Sequence, residues 1–437
     1  NDEKDLRYLR TMKRPGGQRR FLIAIVTLFT PALAIAETTY VVAAGLIDTL
    51  DEKYIENPVV EIEGHRIVSV TENGSAPDGT AVIDLGDSTL VPGLADVHAH
   101  LGWYASDTNY SFLGVSHTDE AVRSVINAKV LLNAGFTMVR STGSNGYADV
   151  SVRNAVDEGR IPGPRLKVSG PSLGITCGHC DQNLLASQWE MKGEAIADGP
   201  WQIREQVREH RKYGVDLIKF CATGGILSKG TTVGGRQYTL EEMQAIVDEA
   251  HMHGLTVAAH AHGPEGIRFA IEAGVDSIEH GSLIDDEGIA MAVDKGTFLT
   301  LDIYTSEYLV SEGVNVGFLP EMLEKAKVVN DRRYEIFRRV VEAGGKVVFG
   351  TDSSVIPHGT NAIQFSRMVE NGMSPMQAIQ SATTVAATLM RWEGLTGAIA
   401  PGYFADIIAV PKNPLDDVSA LEDVVFVMKD GIVYRHD

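Results

Sequence analysis

The chain has 437 residues, 44% of them apolar, which is enough for a large buried core and suits one barrel plus a smaller module better than several small domains. Its formal net charge is -20, and residues 1–36 are locally basic, so the acidic excess lies beyond them. This argues against a nucleic-acid partner, which needs a basic face, and solubility accounts for it.

In chain order, Lys13, Arg14, Arg19 and Arg20 form a basic head, Phe21 to Phe29 an apolar core, and Ala34-Ile35-Ala36 a small-x-small cleavage site. The apolar core is short for a membrane span, and Pro31 interrupts it. Residues 12–36 therefore read as a signal peptide starting at Met12, with an uncleaved anchor as the alternative. No cysteine follows the cleavage site directly, so neither a lipid anchor nor a stable membrane anchor is expected. The expected product is a periplasmic or secreted enzyme that begins at Glu37.

Next come short β-branched runs, Thr39 to Leu46 and Val59 to Val70, broken by Asn57-Pro58 and Gly64-His65. Val91 to His100 then reads as a strand entered through Pro92-Gly93, so that His98 and His100 leave one face, two residues apart. Two neutral imidazoles so spaced can grip a metal ion; the plainer reading is a pair of ordinary histidines near a strand end.

Further strands are predicted at 137–141, 165–169, 216–220, 256–260, 276–280, 298–303 and 346–350. Helical patterns at 121–133, 240–253, 264–273 and 332–343 fall between most of them. Such alternation predicts a parallel sheet, and eight units counting 94–98 predict closure into a barrel. Lys219, His260, His280 and Asp352 each stand at the end of such a run, and in a parallel barrel those ends meet at one mouth, where chemistry is kept. Alternative readings are a solvent-reaching lysine and an exposed turn aspartate. The C-terminal runs 405–410, 424–428 and 432–434 have the strand character of the first ones, and the two chain ends are expected to meet.

The order His-x-His, Lys, His, His, Asp resembles the binuclear metal branch of the amidohydrolase superfamily. The likeness is to its imidazolonepropionase-like and prolidase-like dipeptidases, through Val91 to His100, Ile218-Lys219, His260-Ala261-His262, Ile278 to Gly281 and Gly350 to Asp352. It implies an α/β fold: a (β/α)8 barrel over residues 93–396 and a β-sandwich combining residues 37–92 and 397–437. It also implies two divalent ions, expected to be zinc although manganese, iron and cobalt suit such mixed donors. His98, His100 and Asp352 would hold the more buried ion and His260 and His280 the other, with Lys219 bridging as a carbon dioxide-derived carbamate. A hydroxide held between the ions would attack an amide carbonyl, and Asp352 would move its proton to the leaving amine.

His179, Tyr238 and His262 are expected, on the same resemblance, to line the substrate pocket and stabilise an oxyanion or hold a carboxylate; surface or supporting positions are the alternative. Arg140, ending the second strand, is a further candidate carboxylate clamp. Cys177 and Cys180 flank Gly178-His179 and read as a loop disulfide or as two free thiols, with Cys221 as a buried barrel thiol. The expected substrate is a small molecule with a free carboxylate, such as an Xaa-Pro dipeptide or an N-acyl amino acid. A cyclic amidase or deaminase, and a non-catalytic periplasmic binding protein on the same barrel, are the competing functions; a homo-oligomer is left open.

Overall fold

The computed structural model describes residues 38–108 and 110–437; the expected signal segment and its cleavage before Glu37 lie outside the described residues. Parallel strands form two sheets. One holds Leu94–Ala99, Phe136–Ser141 and Arg165–Val168, and the other Leu217–Cys221, Thr256–Ala261, Ser277–His280, Phe298–Thr300 and Lys346–Val347. Every residue of Leu94–Ala99, Phe136–Ser141 and Leu217–Cys221 is buried, which is why these runs lack a polar alternation: a parallel sheet is covered on both faces.

The two sheets are joined at both edges by backbone hydrogen bonds outside regular ladders. Val97 N–H donates to the Phe349 carbonyl at 3.0 Å, and Leu173 N–H donates to the Lys219 carbonyl at 2.9 Å. The seventh and eighth parallel strands are shorter than their sequence runs. Asp352 and Ser354 have φ of 55° and 130°, so the chain turns out of the strand there, and the Phe349 carbonyl faces the first strand. Gly350 allows this approach, since a Cβ at that position would stand 2.9 Å from the Cβ of His98.

The helices between strands carry the expected end signals. Ser116 and Asp119 form a capping box on His117–Asn133, Thr239 and Glu242 do so on Leu240–Met252, and Pro264 opens Pro264–Ala273, which ends at Gly274 with φ 97°. Two helices between the seventh and eighth strands, Thr305–Val316 and Pro320–Asn330, have weak sequence signals: the first contains Gly313 and several β-branched residues of low helix propensity. Packing supports them, because Leu309, Ala326 and Val329 bury against Ile226 and Val355.

Strands from both chain ends pair directly. Thr89–Pro92 lies antiparallel to Ile407–Val410 in a six-stranded sheet, while Thr38–Val42 and Pro58–Glu63 belong to a four-stranded one. Val41, Leu46, Val60 and Ile62 share one core with Ile407, Phe426 and Met428.

Candidate metal centre and active site

His98 and His100 leave the first parallel strand on one side and meet Asp352: His100 Nε2 is 3.2 Å, and His98 Nε2 3.5 Å, from Asp352 Oδ1. Asp96, two residues before His98 on the same strand face, fixes this meeting. Its Oδ1 accepts from the backbone N–H groups of His98 (3.0 Å) and Thr351 (3.1 Å), and its Oδ2 from Thr351 Oγ1 (2.5 Å) and Asn361 Nδ2 (2.6 Å). Burial raises the Asp96 carboxyl to about 6 even against these four donors, so it remains an acceptor at neutral pH. In the sequence Asp96 is marked only by its i, i+2 spacing from His98.

Lys219, at 3% exposure, points Nζ to within 3.3 Å of His98 Nε2. Burial lowers its pKa, which favours the neutral amine. His260 and His280 come in from the ends of the fifth and sixth strands, with ring centroids 4.5 Å apart. Ligand atoms of His98, His100 and Asp352 form one group of metal-binding geometry, and those of His260, His262 and His280 another. A third group joins His280 and Asp352 to Asp302, just past the seventh strand, which sequence reasoning missed; the strand-end rule that found Lys219 would have found it. All these residues line one cavity of about 360 Å³. His280 and Asp352 both have left-handed backbone, φ 72° and 55°, a conformation that non-glycine residues keep only where the surroundings enforce it.

The partner of each Nδ1 atom sorts the histidines. His100 Nδ1 faces the Gly143 carbonyl at 3.2 Å and His280 Nδ1 faces Asp302 Oδ2 at 3.0 Å, while His98 Nδ1 stands 3.0 Å from Glu279 Oε2 in a charge contact that lacks hydrogen-bond geometry. These partners can only accept, so the proton belongs on Nδ1 and the lone pair on Nε2, as a metal ligand needs. His179 and His262 instead set Nδ1 against hydroxyls, Ser228 Oγ at 2.8 Å and Ser282 Oγ at 2.9 Å. A hydroxyl can donate, which leaves Nε2–H free to donate to a substrate oxygen. His260 Nε2 is buried without a hydrogen-bond partner, an arrangement that costs free energy unless a cation takes it. The donor set therefore fits divalent metal.

Electrostatics agree with that division. Burial and the nearby Lys219 lower His98 to about 3, and burial and His280 lower His179 to about 3. His260 and His262 are pushed well down by burial and by their histidine neighbours. Burial alone would lower His280 too, but the Asp302 carboxylate overrides it and raises it. Burial would raise Asp352, yet His98 and His100 opposite hold it below the usual carboxylate range.

Three expectations are corrected. Arg140 is no carboxylate clamp: its buried guanidinium donates to the Val97 carbonyl (2.6 Å), Ser277 Oγ (3.0 Å) and Glu279 Oε1 (2.6 Å), and it does not line the cavity. Tyr238 also stays outside the cavity, because its ring packs at 5.9 Å on Phe220 and its hydroxyl donates to the Ala197 carbonyl at 3.3 Å. The disulfide joins Cys180 to Cys221, with Cα atoms 6.2 Å apart, and leaves Cys177 free and exposed. The long loop after the third strand bridges to the fourth at Leu173 and Phe220, which brings Cys180 to Cys221, whereas Cys177 turns outward at φ 63°. His179, by contrast, does face the cavity, and Gly225 under its ring leaves no room for a side chain there.

Parallel strands that bring histidines and carboxylates from their C-terminal ends around one cavity define a metal-site hydrolase of the α/β class. The model of the Amidohydrolase family matches residues 89–435, and the chain belongs to that family. A solved Xaa-Pro dipeptidase with methionine bound in its active site is 37% identical, with a TM-score of 0.87 over 91% of this chain and 100% of that one. A prolidase solved in complex with N-methylphosphonate-L-proline is 30% identical, with a TM-score of 0.83 over 92% of this chain and 100% of its own. Ochratoxinase of Aspergillus niger is 30% identical over 90% of this chain and 86% of that protein.

Proposed function

We propose that the protein is a two-metal hydrolase that cleaves the amide bond of Xaa-Pro-type dipeptides or N-acyl amino acids. The observation that carries this reading is Lys219 Nζ, buried 3.3 Å from His98 Nε2 in the cavity that both histidine groups line, in a chain similar to an Xaa-Pro dipeptidase along nearly its whole length. A buried, deprotonated amine can add to carbon dioxide and lose a proton, and the resulting carbamate would offer anionic oxygens suited to divalent cations. His98, His100 and Asp352 would hold one ion and His260 and His280 the other, with zinc suited to imidazole and carboxylate donors. When bound, such a pair supplies an acidified water and a polarised carbonyl.

Asp352 accepts the proton given up by the attacking water and returns it to the leaving amine nitrogen, since its Oδ1 borders both histidines of its group. Nε2–H of His179 and of His262 donates to the developing oxyanion or to the substrate carboxylate. Ile226, Leu309, Phe318, Val329 and Val355 form an apolar wall of the cavity, which suits a bulky aminoacyl or acyl group. The eight parallel strands are read as one (β/α)8 barrel and the paired chain ends as its β-sandwich. Export through residues 12–36 is proposed as well, with the mature enzyme acting in a periplasmic or extracellular space; N-terminal sequencing of exported protein tests it, and a start upstream of Phe21 contradicts it.

The direct test is a library of dipeptides and N-acyl amino acids offered to metal-reconstituted protein. Turnover concentrated on substrates with a free carboxylate beside the scissile amide is expected. Turnover of cyclic amides or amino-heterocycles alone would transfer the chain to the cyclic amidase or deaminase reading.

A further inference from the structure

Two deeply buried charges near the site do not line its cavity. Glu279, in the sixth strand, is 0% exposed and Arg140, in the second, 2%. Glu279 Oε2 stands 3.0 Å from His98 Nδ1, while its Oε1 accepts from Arg140 Nη2 at 2.6 Å and from Ser277 Oγ at 2.5 Å. Arg140 also donates to Ser277 Oγ at 3.0 Å and to the Val97 carbonyl, beside His98, at 2.6 Å. Three parallel strands are thus tied together behind one imidazole, and apart from the Arg140–Ser277 bond each tie ends on Glu279 or on the backbone next to His98.

The other histidines are backed differently. His100 has only a neutral carbonyl behind it, His179 and His262 have hydroxyls, and Asp302, behind His280, itself opens on the cavity. Among the described residues, His98 is the site histidine with a fully enclosed carboxylate at Nδ1. A carboxylate so placed favours the proton on Nδ1 by charge and makes Nε2 a stronger donor. A buried ion pair with Arg140 adds little net stability of its own.

We propose that Glu279, held by Arg140 and Ser277, is the positioning residue for His98, and that it strengthens cation binding by the group of His98, His100 and Asp352 over binding by the group of His260 and His280. This rests on the metal-binding reading above. It concerns metal affinity and ligand geometry, and leaves the substrate open.

The test is equilibrium competition of zinc and cobalt against a chromophoric chelator, with visible spectra of the cobalt-loaded protein. Wild type, Glu279→Gln, Glu279→Asp and the double variant Glu279→Gln/Arg140→Met are compared. Wild type should bind two ions of unequal affinity. Glu279→Gln should weaken the tighter one about 10–100-fold, shift its cobalt spectrum and leave the weaker ion unchanged, with Glu279→Asp recovering part of the loss. The double variant leaves no buried unpaired charge, so it keeps the test decisive if Glu279→Gln alone does not fold; the same selective loss is expected of it. Two ions in wild type, with unchanged affinities and cobalt spectra in the folded variants, would overturn the role of Glu279 and leave the metal reading standing. A wild-type chain that binds no divalent ion would overturn both.

Discussion

His179 lies flat against His260, with ring centroids 4.2 Å apart and planes inclined by 23°, so a loop residue from beyond the third strand covers a histidine at the end of the fifth. Ser228 holds its Nδ1 at 2.8 Å, and the loop is stapled to the fourth strand one residue further on by the Cys180–Cys221 disulfide. Replacing His179 with Ala should keep both metal ions and cost about 10²–10³ in turnover if its Nε2–H serves the oxyanion. If it holds the carboxylate equally in ground and transition states, KM rises instead. Steady-state kinetics beside elemental analysis decide, and a variant with unchanged kinetics removes His179 from the chemistry.

Lys219→Ala should lose at least one bound ion, because among the described residues Lys219 is the lysine that lines the cavity. Short carboxylic acids with bicarbonate are expected to restore part of the metal content and activity by filling the vacated space. Full metal content in the unsupplemented variant would rule out the bridge.

Asp352→Asn keeps the size of the side chain and removes its capacity to take a proton. Turnover should drop by about 10²–10⁴-fold, the usual worth of general acid–base catalysis. Near-normal turnover with both ions bound would defeat the proposed proton transfer.

Tyr238→Phe is expected to leave kcat and KM unchanged, because the hydroxyl bonds to the Ala197 carbonyl away from the cavity. Loss of that one hydrogen bond should cost about 0.5–1.5 kcal/mol of stability, read from denaturant melts. A tenfold change in either kinetic constant would bring Tyr238 back into the site.

Acid should destabilise the metal-free protein. His98 and His179 sit at about 3 when folded against 6.5 for a free imidazole side chain, so between pH 3 and 6.5 the unfolded chain binds more protons than the native one. Their contribution is complete above pH 6.5 and falls with pH through that window, by up to about 1.4 kcal/mol per unit for each histidine. His280 is shifted upward, so its contribution is present below its unfolded pKa and lost as pH rises. Urea midpoints at pH 5 and pH 7 test the net fall, and His179→Gln should make it shallower by about one proton. A midpoint independent of pH would contradict the buried neutral histidines.

The residues of the candidate site were legible in one dimension because His98, His100, Lys219, His260, His280 and Asp352 stand at or just past the ends of apolar runs, and parallel strand direction brings such ends to one mouth. Their support was not legible. The partners of Arg140, Tyr238 and Cys221 come from distant segments, and sequence spacing says nothing of which buried donor meets which acceptor. Arg140 at a strand end looks the same whether its guanidinium meets a substrate or Glu279, 139 residues away. The tertiary structure decides between them because a buried charge must find its counter-charge, and only the packed strands determine which one lies within reach.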